Sequence, residues 1–350
     1  MVEQIAEVAA VQSTQSTEAP QPCTWSSRDV LGTSFDLPID GYDRPWEGPV
    51  LRTPPRAANY VPRPDVIDDL VLWYIGEDRA IKLIGHTGTG KTEVVKQFAA
   101  ALNLPLLMLL ANPRTEASQL IGGLVPTPEG VVFREGVLTL AALHGVIVLI
   151  DEANLIDPGE AAGLNALMEG YPCTIPETGE TILPHPNFRV ILTQNPKSFG
   201  YRGRQGSDLS SDDRCVALQV PYMDPKYEVP MIRELIKSTA TEMGSQVSDD
   251  AAEVEAKRVV DFANSVRQSH MGESDGAGAL PCTMSTRVLA RWVRWRLMAS
   301  QVIPVGQNPY HYALRRVLTN HQDRDVAKAI HDLLTAQMNE RDGSSSAIAS

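Results

Sequence analysis

One eight-residue stretch constrains this chain more than any other. Gly85-His86-Thr87-Gly88-Thr89-Gly90-Lys91-Thr92 matches G-x-x-x-x-G-K-[ST] and lies between a short apolar run, residues 80–84, and a helical pattern, residues 91–102. Its glycines let the backbone wrap a phosphate, while the helix that follows points free N–H groups and a positive dipole at it. The whole loop, Gly85 through Thr92, is therefore assigned to a nucleotide's phosphates. Lys91 would reach the β- and γ-phosphates and Thr92 would ligate Mg²⁺. A glycine-rich turn that binds nothing would not need every fixed position of the motif filled, in that context.

Four further positions fit the same chemistry. Residues 145–150 are a β-branched run, the pattern of a strand buried on both faces of a parallel sheet, and Asp151-Glu152 follow directly. Asp151 at such a strand end reaches Mg²⁺, and Glu152 polarises an attacking water. A solvated acidic loop is the alternative, and it loses ground beside a complete phosphate loop. Gln194-Asn195 ends the strand at 188–193. The Asn195 amide either orients the lytic water or belongs to an ordinary Asn-Pro turn. Arg214, just before the strand at 215–220, is either a solvated charge or a finger for a neighbouring subunit's nucleotide. Arg287 opens a helix and either contacts phosphates from above or lies on the surface. The basic and aromatic run 287–296 reads as a packed amphipathic helix, with Val288, Trp292 and Trp295 on one face and Arg291 and Arg294 on another. His86 enters only as part of the loop, and His185 has no catalytic role.

Strands alternate with helices up to Pro221, which implies a doubly wound α/β sheet. One of these helices is expected over 157–169, with Asp157 as N-cap, Glu160 as capping partner and Gly170 as stop. After Pro221 only helical patterns follow, starting at Asp224-Pro225, Ser248, Ser285, Asn308 and beyond Gln322. The division is a disordered segment at 1–45, an α/β nucleotide-binding domain at 46–222, a helical lid at 223–340 and a disordered tail at 341–350. Residues 46–64 read as an extended strap.

The 350 residues are 43% hydrophobic and 21% charged, which excludes wholesale disorder. Thirty-one basic against 43 acidic residues leave a net charge of −12, a poor match for nucleic acid or anionic lipid. The four cysteines form no CxxC pair, which argues against zinc and against a disulfide framework. The longest apolar stretch, 99–111, is too short to span a bilayer, so no membrane association is expected. With no secretory signal at the N-terminus, the expected location is cytoplasmic.

In order and content the motifs at 85–92, 148–154, 192–196, 213–214 and 285–287 resemble the AAA+ ATPases of the MoxR type. That group includes the cobaltochelatase small subunit and the CbbQ and NorQ activators. The likeness covers residues 60–335. It implies a P-loop AAA+ core, a five-stranded parallel sheet flanked by helices, with an all-α lid. It makes Lys91 and Thr92 the Walker A residues, Asp151 and Glu152 the Walker B pair, Asn195 sensor 1, Arg214 the arginine finger and Arg287 sensor 2. Residues 129–136 and 173–183 resemble the two β-hairpins that line the pore in this clade. At 285–287 the chain has Ser-Thr-Arg where many relatives have Ser-Pro-Arg. The resemblance implies a homo-oligomeric, hexameric ring that hydrolyses ATP with Mg²⁺ and remodels a protein client. It also implies a von Willebrand factor A-domain partner, often with a metalloenzyme that needs metal or cofactor insertion. A nucleic-acid motor on the same core is the alternative, opposed by the acidic balance. A non-hydrolysing scaffold is opposed by the presence of both Glu152 and Arg214.

Overall fold

The computed structural model describes residues 19–57, 60–128, 130–196, 213–272, 280–304 and 306–342. Its first elements correct the expectation of disorder over 1–45. Strand β1 (Pro22–Ser26) pairs antiparallel with β2 (Pro38–Tyr42), and helix α1 (Ser27–Leu31) connects them. Ser26 caps α1 by accepting the Asp29 N–H, and Gly32 ends it at φ 72°. Leu31 and Ile39 are buried with the core residues of the helices that follow, and Tyr42 N donates to Leu102 O at 3.0 Å. The polar run ends at Pro22; beyond it Trp25, Leu31, Phe35 and Ile39 supply enough apolar surface to dock. Residues 1–18 lie outside the described residues. So do 343–350, within the expected tail.

Next come α2 (Pro64–Ile75), β3 (Ala80–Ile84), α3 (Lys91–Ala101) and β4 (Leu106–Leu110). A short α4 (Ala117–Leu120) leads into the antiparallel hairpin β5 (Gly122–Thr127) and β6 (Gly130–Glu135), then α5 (Val137–His144) and β7 (Ile147–Asp151). Helix α6 spans Ala162–Met168 rather than 157–169. Asp157 closes a local turn instead, accepting Gly159 N at 2.9 Å, and Glu160 accepts the Ala117 N–H at 2.6 Å. The expected capping acid is spent on another segment. A second hairpin, β8 (Cys173–Thr174) and β9 (Thr181–Ile182), precedes β10 (Arg189–Gln194) and β11 (Val216–Gln219).

Five of these strands form one parallel sheet in the order β11-β3-β10-β7-β4. Successive side chains point to opposite faces of a strand, and both faces here are covered. Ile81, Leu83, Leu149 and Ile191 pack with α2 and α3, whereas Val148, Ile150, Val190 and Leu192 pack with α5 and α6. The unbroken apolar runs follow from that double burial.

Past Pro221 the described chain is helical: α7 (Pro225–Glu242), α8 (Asp249–Met271), α9 (Thr286–Val302), α10 (Pro309–Val317) and α11 (Arg324–Asp342). Asp224, Ser248, Ser285 and Asn308 are N-caps whose side chains accept backbone N–H groups. These helices share their own core around Trp292, Phe262 and Val260. Helix α9 buries Leu289, Trp292 and Val293 while Arg291 and Arg294 face solvent. Trp295, expected on the buried face, is 40% exposed. Arg296 takes the inward place and pairs with Glu255. Among the described residues no helix is long and apolar enough to cross a membrane.

Candidate active site

Parallel pairing brings the carboxyl ends of β3, β7 and β10 to one edge, and the motif residues follow those ends. The loop after β3 turns tightly because its glycines are required sterically. A Cβ on Gly85 would lie 2.3 Å from Val220 O, and Gly88 sits at φ 80°. Lys91, 9% exposed, curls back over the loop. Its Nζ donates to Gly85 O at 2.6 Å, His86 O at 3.0 Å and Asn195 Oδ1 at 3.1 Å. The ammonium and the Asn195 amide, 104 residues apart in the chain, therefore share one point.

Thr92 Oγ1 donates to Asp151 Oδ2 at 2.9 Å, and Thr193 Oγ1 donates to Asp151 Oδ1. The same Thr193 oxygen accepts the Glu152 N–H at 3.0 Å. Glu152 is one of two non-glycine residues with positive φ among the described residues, at 57°. A left-handed conformation at such a residue persists only where its surroundings hold it, and the Thr193 hydroxyl is one of the groups that do so. A threonine hydroxyl and a carboxylate side by side are hard oxygen donors, which suits a divalent cation such as Mg²⁺ that keeps several of its waters.

A cavity of about 640 Å³ opens beside the phosphate loop between the sheet and the helical region. Gly85, His86, Tyr222, Tyr227 and Met271 line it, together with the amides of Asn264 and Gln268. His86 stacks on Tyr222 with ring centroids 5.9 Å apart and meets the edge of His270 at 5.6 Å. Burial first, then the charges of His270 and Lys91, hold the His86 pKa below the usual histidine value. Its neutral form is favoured beside the lysine.

The remaining expected residues divide between two places. Arg287 is exposed in the first turn of α9, whose N-cap Ser285 abuts the loop; a Cβ on Gly88 would lie 2.2 Å from Ser285 Cβ. Arg214 is elsewhere. It precedes β11, whose Val216 aligns with Ile81 near the amino end of β3, and its Nε donates to Glu169 Oε1 at 2.8 Å. Arg214 is thus at the sheet edge opposite its own phosphate loop.

Several residues of this region escaped the sequence reading. Thr193 is only the last residue of the strand expected over 188–193. Arg63, 3% exposed, donates through Nη1 to Thr89 O and Pro221 O at 3.0 Å each, tying the loop to the start of the helical region. Arg267 and Glu228 form a buried pair in the helical region. Arg267 follows Val259, Ala263 and Val266 on the apolar stripe of α8, and a charge at a stripe position was the available signal.

A phosphate loop, an acidic strand end and an amide against the lysine, on this sheet with a helical lid, define a AAA+ ATPase, an enzyme that binds and hydrolyses ATP. Residues 80–214 match the model of the AAA domain (dynein-related subfamily), and residues 245–337 match that of the CbbQ/NirQ/NorQ C-terminal region. The aerobic cobaltochelatase subunit CobS of Sinorhizobium sp is 24% identical over 287 residues, covering 77% of this chain and 79% of CobS. Protein CbbQ of Hydrogenophilus thermoluteolus is 29% identical over 153 residues, 43% of this chain and 56% of CbbQ. Midasin of Dictyostelium discoideum is 35% identical over 151 residues, 42% of this chain and 2% of midasin. The chain belongs to the MoxR-type AAA+ ATPases of the CobS/CbbQ/NorQ group.

Proposed function

We propose that this ATPase works as a homo-oligomeric ring, a hexamer, whose nucleotide sites lie between subunits and whose turnover remodels a protein client. The carrying observation is the separation of Arg214 from its own phosphate loop, across the length of the sheet. At that distance Arg214 would act on the nucleotide of the next subunit rather than on its own. The α/β unit up to residue 222, extended by the folded segment at 19–45, and the lid from 223 would move about Tyr222 as ATP is consumed.

Within the site each residue has one task. Lys91 and the N–H groups of the loop hold the β- and γ-phosphates, and Arg287 approaches them from the lid. Thr92 and Asp151 would hold Mg²⁺, which supplies charge neutralisation on the phosphates. Asn195 orients the attacking water, and Glu152, turned outward at its left-handed corner, accepts its proton. Arg214 of the neighbouring subunit meets the charge that builds on the γ-phosphate.

Motion of the lid would be transmitted to the two hairpins. Leu124, Val131 and Val132 of the first are 55%, 65% and 45% exposed, an apolar surface suited to protein contact rather than to nucleic acid. The net charge of −12 favours the same reading. The resemblance to the MoxR type implies a von Willebrand factor A-domain partner, and likeness to a cobaltochelatase subunit favours a metalloenzyme client receiving metal or cofactor. Glu152→Gln tests the chemistry: it should bind ATP and assemble, yet lose turnover by about 100-fold or more. Wild-type turnover in that variant would refute the assignment. DNA-stimulated hydrolysis with a steep salt dependence would favour a nucleic-acid motor instead.

A further inference from the structure

Arg267 is 1% exposed and Glu228 is fully buried, both in the helical region. Arg267 Nη1 and Nη2 donate to the two Glu228 carboxylate oxygens at 2.7 and 2.8 Å. A buried ion pair is seldom the most stabilising filling for a core, since desolvation offsets its attraction. Its value lies in the geometry it imposes, and here that geometry converges on one short segment. Arg267 Nε donates to Met284 O at 2.7 Å. Thr286 Oγ1 donates to Glu228 Oε1 at 2.6 Å. Tyr222, beneath the Arg267 guanidinium at 4.9 Å, shares a hydrogen bond with Thr283 at 2.9 Å. Between them sits Ser285, the N-cap against the phosphate loop.

Residues 283, 284 and 286 are thus each held by the Tyr222–Arg267–Glu228 cluster, and the next residue is Arg287. We infer that Arg267 and Glu228 are positioning residues for Arg287: they fix the start of α9 so that its guanidinium is delivered to the nucleotide phosphates. This rests on the reading of Arg287 as the lid's phosphate contact. A long side chain finds a phosphate reliably only if its launch point is rigid, and a displacement of about 1 Å costs on the order of 100-fold in rate. Three anchors drawn from the hinge, α7 and α8 supply that rigidity and make it sensitive to the hinge.

The test is a double-mutant cycle on the full-length assembled protein, reading kcat/KM for ATP and the melting temperature. Thr286→Val, which leaves the ion pair intact, and Glu228→Gln, which keeps an acceptor for Arg267 but not the charge, are the working variants; the melting temperature shows that each is folded, whereas Arg267→Ala removes the guanidinium and every hydrogen bond it makes. Each is expected to lower kcat/KM by about tenfold in the wild-type background and by less than about twofold in Arg287→Ala, the non-additivity of residues acting through one another. Arg267→Lys should not rescue, since an ammonium cannot serve Met284 O and both carboxylate oxygens together. Equal losses in both backgrounds would show that the pair supports the lid without acting through Arg287, and would overturn the inference alone. Wild-type turnover and ATP affinity in Arg287→Ala itself would overturn the phosphate-contact reading and this inference with it.

Discussion

Thr193→Val removes one oxygen and with it both hydrogen bonds that Thr193 makes to the Asp151–Glu152 corner. Thr193 is fully buried, and its Oγ1 donates to Asp151 Oδ1 while accepting Glu152 N–H at 3.0 Å. Valine fills nearly the same space, so packing is kept and only the polar interactions are lost. A hydrogen bond to a carboxylate contributes about 1.5–3 kcal/mol and a neutral one about 0.5–1.5 kcal/mol, so the loss should be about 3 kcal/mol. For a domain of this size that corresponds to a melting temperature lower by roughly 6–12 °C. The catalytic effect should be separable. Glu152 at φ 57° holds a conformation that costs on the order of 1–3 kcal/mol, and without the Thr193 anchor it should relax away from the position proposed for it as the base. Turnover should fall about 10- to 100-fold. Nucleotide affinity should hold, because Lys91 and the loop glycines are untouched. Calorimetry, steady-state ATPase rates and titration with a fluorescent ATP analogue measure the three quantities. Wild-type turnover in a folded variant would refute the claim that Thr193 sets Glu152.

Gly88→Ala should raise the KM for ATP at least about tenfold, because a Cβ at φ 80° is strained and would meet Ser285 Cβ at 2.2 Å, displacing the lid; an unchanged KM would show that the lid start does not depend on this contact. Removal of residues 19–45 together with what precedes them exposes the core around Leu31 and Ile39 and should lower the melting temperature by several degrees; an unchanged melting temperature would contradict the docking of β1, α1 and β2. Acidification should destabilise the fold. His86, His311 and His331 all have folded pKa values lowered first by burial, with Arg315 acting next on His311, and the His311 and Arg315 charges next on His331. The unfolded chain therefore binds protons first as pH falls through about 6.5, and stability declines until the pH passes below the folded values. His311 and His331 share a hydrogen bond at 2.7 Å, so His331→Gln should flatten the fall in melting temperature between about pH 7 and 5. An identical pH slope in that variant would rule out a contribution from the pair.

What the chain alone determined was whatever depends on neighbours in sequence. The apolar run at 80–84 announced a strand and that at 145–150 a strand buried on both faces, the glycines of 85–92 announced a phosphate loop, and Asp224, Ser248, Ser285 and Asn308 marked helix starts that the structure uses as caps. These signals are local because a strand's alternation, a loop's φ angles and a cap's hydrogen bond involve only a few successive residues. Composition averaged over 1–45 hid the apolar residues of β1, α1 and β2, and Glu160 was drawn from its expected cap to Ala117, a partner 43 residues away. Tertiary structure decided the rest. Only strand order could set Asn195 against Lys91, make Thr193 the link between Asp151 and Glu152, and send Arg214 to the far edge of the sheet. Only the packing of α7 on α8 could turn Arg267 and Glu228 from two unremarked charges into the anchor of the segment before Arg287. A hydrogen bond between residues a hundred positions apart leaves no periodicity in the chain; it exists once a parallel sheet has gathered the ends of its strands on one side.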